Sequence, residues 1–204
     1  MSVEAIAALL VVLIASLSVH EAAHAWTADR LGDPTARMLG RLTLNPLRHI
    51  DPIGTVLFPL ISIVSGLPLL GWAKPVPVNS HNLQAPRRDF AIVAAAGPAS
   101  NLLMAMGAAV ALKAMVAGGA GPSFAMMVVA NAVTMNVLLA VFNLLPIPPL
   151  DGGNVLAGLV PESAARLIDM MRPYGFLMLY ALMYAGILGD VVMPVQRLIR
   201  GWLL

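Results

Sequence analysis

The sequence predicts an α-helical integral membrane protein: a polytopic bundle of about four spanning helices, with a re-entrant or interfacial element and a short β-hairpin. Three observations carry this. Of 204 residues, 59% are hydrophobic and only 11% charged, against about 25% charged in soluble domains. The mean hydropathy is +0.85. The apolar residues fall in runs long enough to cross a bilayer, separated by short stretches rich in Pro, Gly and Arg. The length suits a single membrane-embedded domain over 1–204, with a core at about 3–155 and a C-terminal membrane helix at about 174–196.

In chain order, the first apolar run covers about Val3 to Ala28. The residues before it lack the basic region of a signal peptide, so it is expected to be a retained helix. Gly32-Asp33-Pro34 ends it. The stretch Met38 to Pro46 alternates apolar and polar residues in the manner of a hairpin. Ile53 to Leu70 is long enough to span, but Pro52, Gly54, Pro59, Gly66 and Pro68 interrupt it. Residues 71–79 are too rich in proline for a helix and read as extended chain. Further spans are expected at about Phe90 to Ala117 and Ser123 to Leu145, the former with Gly107, Ala108 and Ala109 suited to close helix packing. Residues 154–173 read as a short helix and an interfacial loop before the last helix.

Chemistry concentrates in the first run. His20-Glu21-Ala22-Ala23-His24 puts two imidazoles one helical turn apart on one face, where both can bind a single metal. Glu21 lies beside them, placed to take a proton from water. The bland reading is a helix end whose polar groups snorkel to the interface. Against it, ionisable groups inside a span are costly and mark function by default. A catalytic zinc takes three protein ligands, and the chain has no cysteine, so the third must be His, Asp or Glu. His49 and His81 sit in polar, proline-rich loops. Asp151 stands after an apolar span and a proline-rich break, and two glycines follow it. Alone it reads as an Asp-Gly turn; paired with a motif that lacks a third ligand, it becomes the better candidate.

These motifs together resemble the site-2 protease family of intramembrane zinc metalloproteases. The resemblance rests on His20-Glu21-x-x-His24 and, about 120 residues later, Asn143-x-x-Pro146-x-x-x-x-Asp151-Gly152. Gly97-Pro98-x-x-Asn101, Gly40 to Pro46 and Gly71 to Asn79 look like the middle and linking motifs of a compact prokaryotic branch without a PDZ or CBS domain. It implies that His20, His24 and Asp151 hold one zinc ion per chain and that Glu21 is the catalytic base. It also implies that Asn143 lies near the substrate or oxyanion and that Asn101 helps shape the site. The substrate would be a transmembrane segment of another protein, unwound and held by strand addition along residues 38–46 or 72–79. The lipid bilayer and a second copy of the chain are the other expected partners. A zinc transporter or a non-proteolytic scaffold is the alternative.

The charges give a topology. A metal shared by His20, His24 and Asp151 requires one depth, so one of the three runs between them must fail to span; Ile53 to Leu70 is the natural choice. Nine of the 12 basic residues then fall on one side and three on the other, against seven and five if every run spans. By the positive-inside rule the richer side is cytoplasmic, which places the site toward the cytoplasm; the resemblance to a compact prokaryotic branch implies a prokaryotic plasma membrane. The basic residues are thereby accounted for, and no nucleic-acid surface is expected.

Overall fold

The computed structural model describes residues 2–65 and 72–204. Among these the regular structure is all helical, with no strand, and residues 72–79 are extended chain. Helix α1 (Val3–Arg30) begins where Ser2 accepts the Ala5 N–H, and it carries the His-Glu-x-x-His motif in its second half. A short turn, α2 (Thr35–Met38), follows. A wide π-helical turn over Pro52–Leu57, capped by Asp51, then runs into α3 (Phe58–Ser65). Helix α4 (Pro86–Ala117) and helix α5 (Phe124–Asn143, capped by Ser123) complete the set of three helices long and apolar enough to cross a membrane. The remainder comprises α6 (Asp151–Leu159), α7 (Glu162–Met171), α8 (Gly175–Tyr184) and α9 (Ile187–Leu203).

Helix α4 is the hub, packed against α1, α5 and α6. Small residues permit this closeness: Ala105 and Ala109 on α4 and Ala140 on α5 are all buried. One apolar cluster joins Ala105, Val137, Val141 and Leu145 to Leu188 and Val192 of α9. A second joins Val12, Leu13 and Leu17 of α1 to Met135 of α5 and Ala73 of the extended segment. Large apolar side chains such as Val11, Leu103, Val110 and Val116 point outward, as a lipid-facing surface requires.

Three expectations change. The hairpin at 38–46 is replaced by α2, a turn and a 3-10 helix at Pro46–Arg48. Its hydrogen bonds are local: Arg41 N–H to Ala36 O, Leu47 N–H to Asn45 Oδ1, and the His49 ring to Thr43 O. Its alternating pattern thus serves turns rather than a cross-strand ladder. The C-terminal helix expected at 174–196 is broken at Gly186, whose left-handed φ of 78° stops α8 after Tyr184. The run Glu162–Tyr184 and α9 meet at 79°, so the described residues hold three helices long and apolar enough to span, or four if that bent pair counts as one. Finally, Asp151 opens a regular helix rather than an Asp-Gly turn. The expected element over Ile53 to Leu70 is helical as far as Ser65, and its remainder, with Gly71, lies outside the described residues.

Candidate metal centre

The face of α1 that carries His20 and His24 packs on the turn of α4 around Gly97 and Pro98. Both rings are buried. The His20 Nδ1–H donates to Asn101 Oδ1 at 2.6 Å, and the His24 Nδ1–H donates to the Val93 carbonyl at 2.7 Å. A carbonyl can only accept, so the proton of His24 sits on Nδ1 and its Nε2 offers a lone pair.

The two Nε2 atoms face each other at 3.0 Å. Asp151 Oδ2 lies 3.1 Å from that of His20 and 3.4 Å from that of His24. All three residues therefore offer one ligand atom within 4.8 Å of each other. Asp151 Oδ2 is buried and has no hydrogen-bond partner. With both rings neutral, three electron-pair donors converge without a proton donor among them, an arrangement that a cation resolves. Two histidines and a carboxylate form a donor set suited to zinc.

Glycines make the convergence sterically feasible. A Cβ on Gly97 would overlap His24 Nε2 and stand 2.6 Å from His20 Nε2, in the space between the ligand atoms. A Cβ on Gly152 would overlap the backbone carbonyls of Leu144 and Leu145, so α6 reaches the site only because that residue is glycine. As the first residue of α6, Asp151 also has its negative charge at the favourable end of the helix dipole.

Glu21 is buried beside the pair, and its Oε2 accepts the Val76 N–H at 2.8 Å. The extended 72–79 segment is thus pinned against the motif. Lys74 N–H to His49 O, Arg41 to Lys74 O and Thr55 Oγ1 to Trp72 O hold it along its length. Asn101 is fully buried on His20. Asn143 is not drawn in: its Nδ2 donates to Leu139 O within α5, and among the described residues it shares no hydrogen bond with the cluster. Sequence reasoning missed Asn136, fully buried on α5 and hydrogen-bonded to Asn101 at 2.8 Å. The available signal was a lone amide in the middle of an apolar span.

A helical membrane bundle with two histidines one turn apart, a glutamate between them and a distant aspartate defines a membrane-embedded metalloprotease class. Comparison with known proteins agrees. The sequence profile of peptidase family M50 matches residues 120–185. YwhC of Bacillus subtilis, whose name describes a zinc metalloprotease, is 38% identical over 190 residues, covering 91% of this chain and 83% of that one. Rip2 of Mycolicibacterium smegmatis, named in the same way, is 34% identical over 82% of this chain and 63% of its own. Rip2 of Mycobacterium tuberculosis H37Rv is 32% identical over 84% and 64%. The chain spans less than two thirds of the length of these Rip2 proteins. No solved structure shows a significant match. The chain belongs to peptidase family M50, the site-2 protease family, and is a zinc metalloprotease.

Proposed function

We propose that this chain hydrolyses a peptide bond in or near a transmembrane segment of another membrane protein, using one zinc ion held by His20, His24 and Asp151. The observation that carries the reading is the convergence of those three ligand atoms inside a bundle of apolar helices. Zinc, when bound, supplies Lewis-acid activation of water and of the scissile carbonyl.

The chain's own residues do the rest. Glu21 accepts the proton of the attacking water and delivers it to the leaving amine. The Val76 N–H occupies one lone pair of Oε2 and so fixes the direction in which the carboxylate offers the others. Asn101 and the Val93 carbonyl hold the imidazoles in register with Asp151. Water is expected to enter from the face richer in basic residues, the cytoplasmic one by the positive-inside rule. Residues 72–79 lie alongside as extended chain, and the backbone groups they do not use internally are available to an unwound substrate.

The test is cleavage of a reporter in which one apolar helix joins two soluble domains, co-reconstituted with purified enzyme. Glu21→Gln is expected to keep its zinc and lose activity by about 10²–10⁴-fold. Asp151→Ala is expected to lose the zinc as well. Full cleavage by metal-loaded Glu21→Gln would remove Glu21 as the base, and unchanged zinc in Asp151→Ala would break the three-ligand site.

A further inference from the structure

The side-chain amides of Asn101 and Asn136 form a chain with a direction. An amide's nitrogen and oxygen are assigned by their partners, and here one end is fixed by backbone. The Ala132 carbonyl on α5 can only accept, and Asn136 Nδ2 donates to it at 2.9 Å. Asn136 must then present its oxygen to Asn101, whose Nδ2 donates to it at 2.8 Å. Asn101 must in turn present its own oxygen to His20, which receives the Nδ1–H at 2.6 Å. The consequence reaches the far side of the ring, where Nε2 is left as a lone pair facing His24 and Asp151. His24 needs no such chain, because Val93 O fixes it directly.

We propose that Asn136 is a positioning residue for the metal site: through Asn101 it locks His20 in the Nδ1–H tautomer, the one that can bind metal through Nε2. The proposal rests on the reading of His20, His24 and Asp151 as zinc ligands. Asn136 lies one hydrogen bond beyond Asn101 and touches no ligand itself. Both amides are fully buried, so no water competes to turn them. Without Asn136, Asn101 is free to rotate and offer its Nδ2 to His20. A donor there would move the ring proton to Nε2, where it would block the metal. Outer-shell partners of metal-bound histidines are typically worth 10–100-fold in metal affinity.

Two variants of the full-length, detergent-purified chain separate this from simple packing. Asn136→Leu keeps the volume and removes the chain's anchor. Asn136→Asp, neutral at such a buried position, restores both bonds: its O–H donates to Ala132 O and its carbonyl accepts from Asn101. Zinc affinity measured by chelator competition is expected to fall about 10–100-fold in Asn136→Leu and to stay within about threefold of wild type in Asn136→Asp, the scale expected where the outer shell is kept. Nitrogen-15 NMR of the wild-type chain without metal, at a pH where the histidines are neutral, is expected to show the His20 proton on Nδ1, although imidazole in water favours Nε2. Wild-type affinity in Asn136→Leu, equal loss in both variants, or an Nε2–H tautomer in the wild type would each overturn the proposal; the last decides it even if Asn136→Leu does not fold. Failure of wild-type protein to bind zinc more tightly than His20→Ala would instead overturn the ligand assignment on which it rests.

Discussion

At the residue scale, Gly97 shows how tightly the site is drawn. In a helix interior alanine is favoured over glycine by about 1 kcal/mol, so Gly97→Ala should strengthen α4 taken alone. The added Cβ, however, would lie against both Nε2 atoms, where overpacking costs about 1–3 kcal/mol. These effects nearly cancel in the stability of the metal-free chain, but only the second acts on the space between the ligands. With metal removed, Gly97→Ala is therefore expected to melt within a few degrees of metal-free wild type, whereas as purified it should have lost most of its zinc, checked by thermal denaturation of the chelator-treated proteins and elemental analysis of the untreated ones. A fully zinc-loaded variant would mean that the histidines can retreat from α4. His20 and His24 stood out in the sequence because ionisable side chains inside apolar runs are rare, and Asp151 stood out only through its pairing with that motif. The Val93 carbonyl and the Val76 N–H were not, because any residue supplies a backbone group and only the fold selects which one is used.

At the element scale, a buried carboxylate just beyond α1, Asp33, clamps the C-terminal part of the 72–82 segment, as Glu21 does at Val76. Asp33 accepts the Thr35 backbone N–H and hydroxyl, the Asn79 N–H at 2.7 Å and the Asn82 side chain at 2.8 Å. Burial works to raise its pKa, but the bonds from Thr35, Asn82 and Asn79 outweigh it, and the carboxyl is held below its ordinary value. Because the folded value is the lower one, this stabilisation is complete above the unfolded value of about 3.9 and is lost as pH falls through the folded value. Asn at this position would turn amide hydrogens toward groups that donate, leaving them unsatisfied at about 1–3 kcal/mol. Thermal melts should show Asp33→Asn well below wild type at pH 7, with the gap closing below about pH 4; a gap independent of pH would remove the carboxylate from the account. This clamp also explains where sequence reading failed. Runs as uniformly apolar as those in α1, α4 and α5 announce spanning helices. The stretch 38–48 is instead shaped by what it touches, since Arg41 is spent on the Lys74 and Pro75 carbonyls and the buried His49 ring on Thr43. Alternation of residue types could not distinguish such a braced loop from a hairpin. The break at Gly186 was hidden in the same way, by apolar residues on both sides of it.

At the scale of the whole molecule, hydrogen bonds fix which chain segments share a face. Asn79 and Asn82 bond to Asp33, just beyond the end of α1, so residues 79–82 lie on the face where α1 ends. Arg87, at the start of α4, donates to the carbonyls of Ala157 and Val160 at the end of α6, which puts the return from α5 on the same face. The opposite face holds Ser2, Ala117 and Ser123. Of the eight basic residues up to the end of α4, Arg30, Arg37, Arg41, Arg48, Lys74, Arg87 and Arg88 gather on the first face and Lys113 lies near the other. A bias of this size orients membrane proteins with the basic side in the cytoplasm. The chain contains no cysteine, so a single introduced thiol reports without background. Ser80 is exposed in the turn after Asn79, and Ser80→Cys leaves the Asp33 clamp intact. A membrane-impermeant maleimide is expected to label it in inverted vesicles and to leave it unlabelled in intact cells. Labelling from outside would reverse the orientation and put the water-accessible mouth of the site on the external side. Substrates would then have to be cut from that side, whereas the expected pattern confines cleavage to segments reached from the cytoplasm.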